Sequence, residues 1–192
     1  NDLAVFTEPA SVALHAYNTA KKDRKFDSVI ILGLGPIGIL LASWCKLNKI
    51  KNVIGVDRNQ NRFKNFMDLG FKNIIDTNKD DFLSKVNQFA SSKGVEIVFD
   101  CSGSVELLNK GILSLEKGGK IIILSNQTKD VTLSQKVLNK FLRQEIKIIG
   151  SWSSVIDPYN EWLETLDMLN SEKLSIKGLI SHKYKFSDAK NI

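Results

Sequence analysis

Apolar positions along this chain follow two alternating patterns. Short runs of mostly β-branched and aliphatic residues recur at 28–32 (SVIIL), 52–56, 73–76, 95–100, 120–124 and 146–150. Apolar throughout rather than on every second position, these runs predict strands covered on both faces. Between them, spaced apolar residues predict helices near 36–48, 59–69, 80–92, 104–116 and 134–142. An earlier helix is expected at about 10–21 and a later one at about 159–170, the latter entered through Pro158 with Asp157 as its N-cap. Gly70 is placed to close the helix before it, and Gly118–Gly119 to turn the chain into the fifth strand. Strand–helix–strand alternation over six strands implies a parallel sheet with right-handed crossovers and helices on both faces. Two halves of three strands each give the order 3-2-1-4-5-6. The tail after about 172 reads as a strand or two and the start of a helix.

Composition narrows this picture little. At 192 residues, 43% hydrophobic and 25% charged, the chain is of ordinary globular make-up. No run of 18 apolar residues and no basic leader is present, and Cys45 and Cys101 form no CxxC pair. A reducing cytoplasm with no membrane contact is the expectation. The net charge of +6 raises a polyanionic partner, but the densest cluster, KKDRK at 21–25, is broken by Asp23. It reads as a solvated connector, so no nucleic-acid partner is expected.

The chemistry enters at GLGPIG, residues 33–38, which leaves the first strand and opens a helix. In that context the GxGxxG spacing signals a dinucleotide-binding turn. Gly33 permits the bend, Gly35 lets the backbone approach a pyrophosphate, and Gly38 lets helix pack closely on strand. Pro36 suits the first helical turn, whose free amides attract a phosphate. Asp57 ends the second strand, 19 positions after Gly38, where an acid would accept both hydroxyls of the adenosine ribose. It would also repel a 2′-phosphate, so NAD is expected rather than NADP; Arg58 beside it pulls the other way. The fold class expected is therefore α/β, a Rossmann doubly wound six-stranded parallel sheet.

Beyond the turn, EPASVALHAY (8–17), GVDRNQNR, FDCSGS and GGKIIILSNQ together resemble the zinc-dependent medium-chain alcohol and polyol dehydrogenases. LNKFLRQEIKIIGSWSS, with the Trp-containing helix and LSIKGLISHKYKF that follow, is most similar to the galactitol-1-phosphate 5-dehydrogenase branch, with sorbitol (L-iditol) dehydrogenases as near neighbours. The resemblance implies roles for single positions. Ile37 would pack on the dinucleotide and Arg62 would lie along the adenosine. Cys101, Ser102 and Gly103 would border adenine and ribose. Leu124, Ser125 and Asn126 would approach the nicotinamide, while Ser151, Trp152 and Ser153 would hold its carboxamide.

The same resemblance implies a zinc ion that polarises the alcohol while hydride passes to the nicotinamide. Its Cys and His-Glu ligands belong to an N-terminal domain not found in these residues, and no catalytic residue is expected within the chain. Only Glu8 matches a zinc-associated position; His15, on the same helix, reads as packing. The expected division is a flanking segment and helix over 1–24, an NAD-binding domain over 25–155, and a C-terminal helix and partial return over 156–192. The implied parent enzyme oxidises a polyol or polyol phosphate with NAD, and this chain, read as a truncated piece, would be inactive alone. The alternatives are a sorbitol (L-iditol) 2-dehydrogenase or a non-catalytic NADH-sensing module. The last strand, apolar and without proline, is an unguarded sheet edge expected to pair with its twin in a homodimer or tetramer.

Overall fold

A computed structural model describes residues 2–127, 129–176, 178–180, 182–185 and 187–188. Six strands form one parallel sheet: β1 (Ser28–Leu32), β2 (Asn52–Asp57), β3 (Asn73–Asp76), β4 (Val95–Asp100), β5 (Leu115–Ile123) and β6 (Lys147–Gly150). Their order is β3-β2-β1-β4-β5-β6, so the direction of winding reverses between β1 and β4. The helices are α1 (Thr7–Lys21), α2 (Pro36–Leu47), α3 (Phe63–Asp68), α4 (Phe82–Phe89), α5 (Val105–Ser114), α6 (Gln135–Arg143) and α7 (Glu161–Asn170).

Alternation along each strand divides the interior in two. Val29 and Ile31 of β1, with Ile97 and Phe99 of β4, face one core, shared with α1, α2, α3 and α7. Ile30 and Leu32, with Val98 and Ile121, face the other, shared with α4, α5 and α6. Trp44 of α2 is fully buried, and its indole N–H donates to the Ala10 carbonyl at 2.9 Å, binding α1 to the first layer. The connector after α1 is held by charge. Asp23 lies 3.1 Å from the buried Lys120 ammonium and 3.3 Å from that of Lys147, and Arg24 lies 2.8 Å from Glu116.

Several expected boundaries move, each for a local reason. The helix expected over 59–69 opens as a 3₁₀ turn, Gln60–Arg62, and becomes α-helical only from Phe63. Asp81 caps α4 by accepting from the Ser84 amide at 2.8 Å, which shortens the segment expected over 80–92. The helix expected to reach 116 stops at Ser114, because Leu115 pairs with Val95. Residues 116–119 then bulge out before Lys120 resumes pairing with Ile97, so the Gly118–Gly119 turn lies inside the span of β5. At α7 the cap is Asn160, accepting from the Leu163 amide at 3.0 Å, and not Asp157. Gly70 does close α3, with φ at +95° and its amide donating to Met67 at 2.7 Å.

The tail departs most from expectation: no strand forms after Gly150 among the described residues. Leu174 is buried, and Ile176 and Leu179 pack on the α1–α2 core. Side chains satisfy its backbone in place of a ladder. The Ser43 hydroxyl donates to the Ser175 carbonyl at 2.6 Å, and the Asn65 amide to Gly178 at 3.4 Å.

Candidate functional site

The crevice forms where β1 hands the chain to α2. Gly33 has φ +91°, and its amide donates to the Val56 carbonyl at 2.8 Å. Gly38 lies so close beneath this bend that a Cβ there would sit 1.9 Å from the Gly33 carbonyl oxygen. Gly35 is different: a Cβ on it would find only the Arg62 guanidinium, at 4.0 Å. The missing side chain at Gly35 therefore leaves room in the crevice, whereas the one at Gly38 removes a collision. Pro36 begins α2, and no side chain caps that helix, so its first-turn amides stay available to an anion.

Asp57, at the end of β2, is 5% exposed and takes four donors. Oδ1 accepts the Arg58 and Asn59 amides at 2.7 and 2.8 Å; Oδ2 accepts the Leu34 amide at 2.8 Å and Arg62 Nη1 at 3.1 Å. Burial pushes the carboxyl up, but the amides of Asn59 and Leu34 and the Arg62 guanidinium outweigh it and hold it below the usual range. The acid thus ties the glycine turn to the loop after β2. Arg58 contributes its backbone, and its side chain is exposed.

Two clefts open along the carboxyl ends of the strands. The larger, about 610 Å³, brings together Gly33, Gly35, Asp57, Arg58, Arg62 and the Cys101–Gly103 loop. The smaller, about 330 Å³, brings Ile37, Leu124, Ser125 and Asn126 against the other side of that loop. Residues expected from stretches far apart in sequence therefore converge on two clefts that share the Cys101–Gly103 loop. Sequence reasoning missed Thr77, Asn78, Ser104, Glu106 and Leu107, which also line the larger cleft. Their signal was positional: 77–78 follow β3, and Ser104 caps α5 by accepting from the Leu107 amide. The Cys101 thiol, between the clefts, is pushed well up by burial and by Asp100 next to it, which suits a packing role.

Other expected positions stand apart. Ser151 is buried and its amide donates to the Ile123 carbonyl at 2.9 Å, but Trp152 is 77% exposed; neither they nor Ser153 line either cleft. His15 faces α7, with Nδ1 3.1 Å from the buried Glu161 carboxylate, which also accepts from Asn18 and the Val155 amide. Glu8 is exposed in the first turn of α1. Among the described residues no group of three or more His, Cys, Asp or Glu is placed to hold a metal. One exposed carboxylate does not fit a catalytic zinc ion, which needs about three protein ligands.

The reversal of strand order, with the crevice outside the strand ends at that point, makes this a Rossmann fold. The profile of the zinc-binding dehydrogenase family matches residues 36–171, and the chain belongs to that family. It is 30% identical to a sorbitol dehydrogenase of Halalkalibacterium halodurans, over 96% of this chain and 52% of that protein. Galactitol-1-phosphate dehydrogenase of Escherichia coli superposes with a TM-score of 0.84 at 22% identity, covering 95% of this chain and 53% of that one. A zinc-binding dehydrogenase structure from Sinorhizobium meliloti, bound to NADP, does so with a TM-score of 0.84 at 21% identity, over 98% and 54%. The chain spans about half the length of the relatives it matches. No helix among the described residues is long and apolar enough to cross a membrane.

Proposed function

We propose that this chain is the NAD-binding part, over 25–155, of a zinc-type polyol dehydrogenase that passes hydride from a secondary alcohol of a polyol or polyol phosphate to NAD. The observation that carries the reading is the pairing of the open Gly35 bend with the buried Asp57 carboxylate across one cleft. The α2 amides would take the pyrophosphate and Asp57 the ribose diol, with the nicotinamide reaching the cleft of Leu124, Ser125 and Asn126. Zinc, where bound, supplies Lewis acidity to the alcohol oxygen. The described residues do not supply its ligands, so the chain's own part is to bind and orient the cofactor.

Titration calorimetry on this chain tests the reading. NADH is expected to bind roughly tenfold or more tighter than NADPH, since a 2′-phosphate would meet the Asp57 carboxylate. Equal or tighter binding of NADPH would overturn the NAD assignment. The chain alone is expected to show no oxidation of galactitol 1-phosphate or sorbitol, and steady turnover would overturn that half.

The exposed edge of β6 supports self-association. Ile148 on that strand is 40% exposed, and β6 pairs only with β5 among the described strands. Pairing of two β6 edges about a two-fold axis would satisfy the open backbone groups. Sedimentation at tens of micromolar is expected to show a dimer, which Ile148→Lys weakens; a monomer under those conditions excludes this mode.

A further inference from the structure

Behind the two clefts lies a charge that the reading above does not use. Asp100, the last residue of β4, is fully buried. Its Oδ1 accepts the Ser102 amide at 2.9 Å and the Ser102 hydroxyl at 2.7 Å. Its Oδ2 accepts the Ser125 hydroxyl at 3.1 Å and the Gln127 side-chain amide at 3.3 Å. Oδ1 thus faces a backbone N–H that can only donate, an arrangement suited to a carboxylate, which only accepts. Every one of these partners is neutral, and no ion pair to Asp100 is formed among the described residues. Asp57, the other buried carboxylate of the crevice, has Arg62 opposite it. Asp100 therefore leaves its negative charge uncompensated in a dry interior, where such a charge is felt over longer distances than in water.

That charge lies one hydroxyl behind the smaller cleft, because Ser125 both lines the cleft and donates to Asp100. None of the described residues lining that cleft is charged. If hydrogen bonding of the β5 loop were the only requirement, a neutral side chain could have met it. We propose that Asp100 sets the redox preference of the bound cofactor, favouring the oxidised form through attraction to the positively charged nicotinamide ring of NAD⁺ over the neutral ring of NADH. This rests on the nicotinamide occupying the Ser125 cleft. Asp100 does not touch the cofactor in this scheme; it is an electrostatic residue whose charge acts across the space that the Ser125 side chain occupies. A unit charge about 10 Å away, at an effective dielectric of about 20, changes an equilibrium on the order of tenfold. A tenfold change in the ratio of the two affinities corresponds to about 30 mV in the potential of the bound two-electron couple.

Asp100→Asn removes the charge and keeps the shape. Its oxygen can stay on Ser102, while its new amide faces the Ser125 hydroxyl and Gln127. The Gln127 Oε1 is buried with no partner, so that side-chain amide can turn over and accept. NAD⁺ and NADH affinities are measured by calorimetry in the unsubstituted chain, in Asp100→Asn and in Ser125→Ala. Asp100→Asn is expected to weaken NAD⁺ on the order of tenfold while changing NADH by less than about twofold. Ser125→Ala, which loosens the same loop without altering charge, is expected to weaken both forms alike. Should Asp100→Asn fail to fold, Gln127→Lys, which sets a cation against the carboxylate, is expected to shift the ratio in the same direction. Equal loss of both forms in the charge-altering variant would overturn the proposal and leave Asp100 a loop fastener. Failure of the unsubstituted chain to bind either form would instead overturn the cofactor reading, and this inference with it.

Discussion

Gly38→Ala is expected to unfold the crevice, lowering stability by about 4 kcal/mol or more and abolishing NADH binding. The added methyl would lie 1.9 Å from the Gly33 carbonyl oxygen, and both partners are backbone. Neither can rotate away, so α2 has to lift from β1 or the Gly33 bend has to open. Lifting α2 would pull Leu40, Leu41 and Trp44 out of the first core, which makes the cost a packing cost as well as a local one. Gly35→Ala is the paired experiment. Its backbone, φ −69° and ψ −173°, suits alanine, and the methyl enters open space. That variant is expected to melt with the unsubstituted chain while losing affinity for NADH, because the methyl occupies room a pyrophosphate needs. Chemical denaturation and calorimetry on the two variants separate a glycine required for folding from one required for binding. A stable Gly38→Ala variant with normal affinity would show that the bend is not clamped as described.

Asp57→Asn is expected to weaken NADH binding by roughly 100-fold and to erase the preference over NADPH. An amide can keep only one oxygen. Its nitrogen must then face either the amides of Arg58 and Asn59 or the Leu34 amide and the Arg62 guanidinium, setting donor against donor. One buried donor left unmatched costs about 1–3 kcal/mol of stability at neutral pH. The pH dependence carries a definite sign. The folded-state carboxyl sits below the ordinary Asp value of 3.8, so its contribution is present above that value and is lost as pH falls through the folded-state one. The stability gap between the unsubstituted chain and Asp57→Asn is therefore expected to be flat from neutral pH down to about 5 and to close below about 4. A gap that widened on acidification would mean that the carboxyl is not held ionised by these partners.

Much of the architecture was legible because its causes are local or periodic. Six apolar runs separated by helical spacing determined a doubly wound sheet, since strands sealed on both faces have few other ways to bury their side chains. GLGPIG determined its own turn, because only glycine supplies the positive φ at Gly33 and the vanishing side chain at Gly38. The acid that ends β2 was equally readable from its distance along the chain.

What spacing could not decide is who faces whom across elements. Asp57 was read as a ribose acceptor, yet only the folded chain shows it clasping Leu34 and Arg62 together. The cap of α7 passed from Asp157 to Asn160, and the tail expected as strand found side-chain partners on α2 and α3 instead. Trp152 carries no sequence mark of exposure, and Asp100 none of burial beside neutral donors alone. Periodicity and backbone stereochemistry are properties of neighbours along the chain and survive in its sequence. Burial, charge compensation and the convergence of loops after β2, β4 and β5 on the two clefts depend on residues dozens of positions apart, and only the folded chain brings them together.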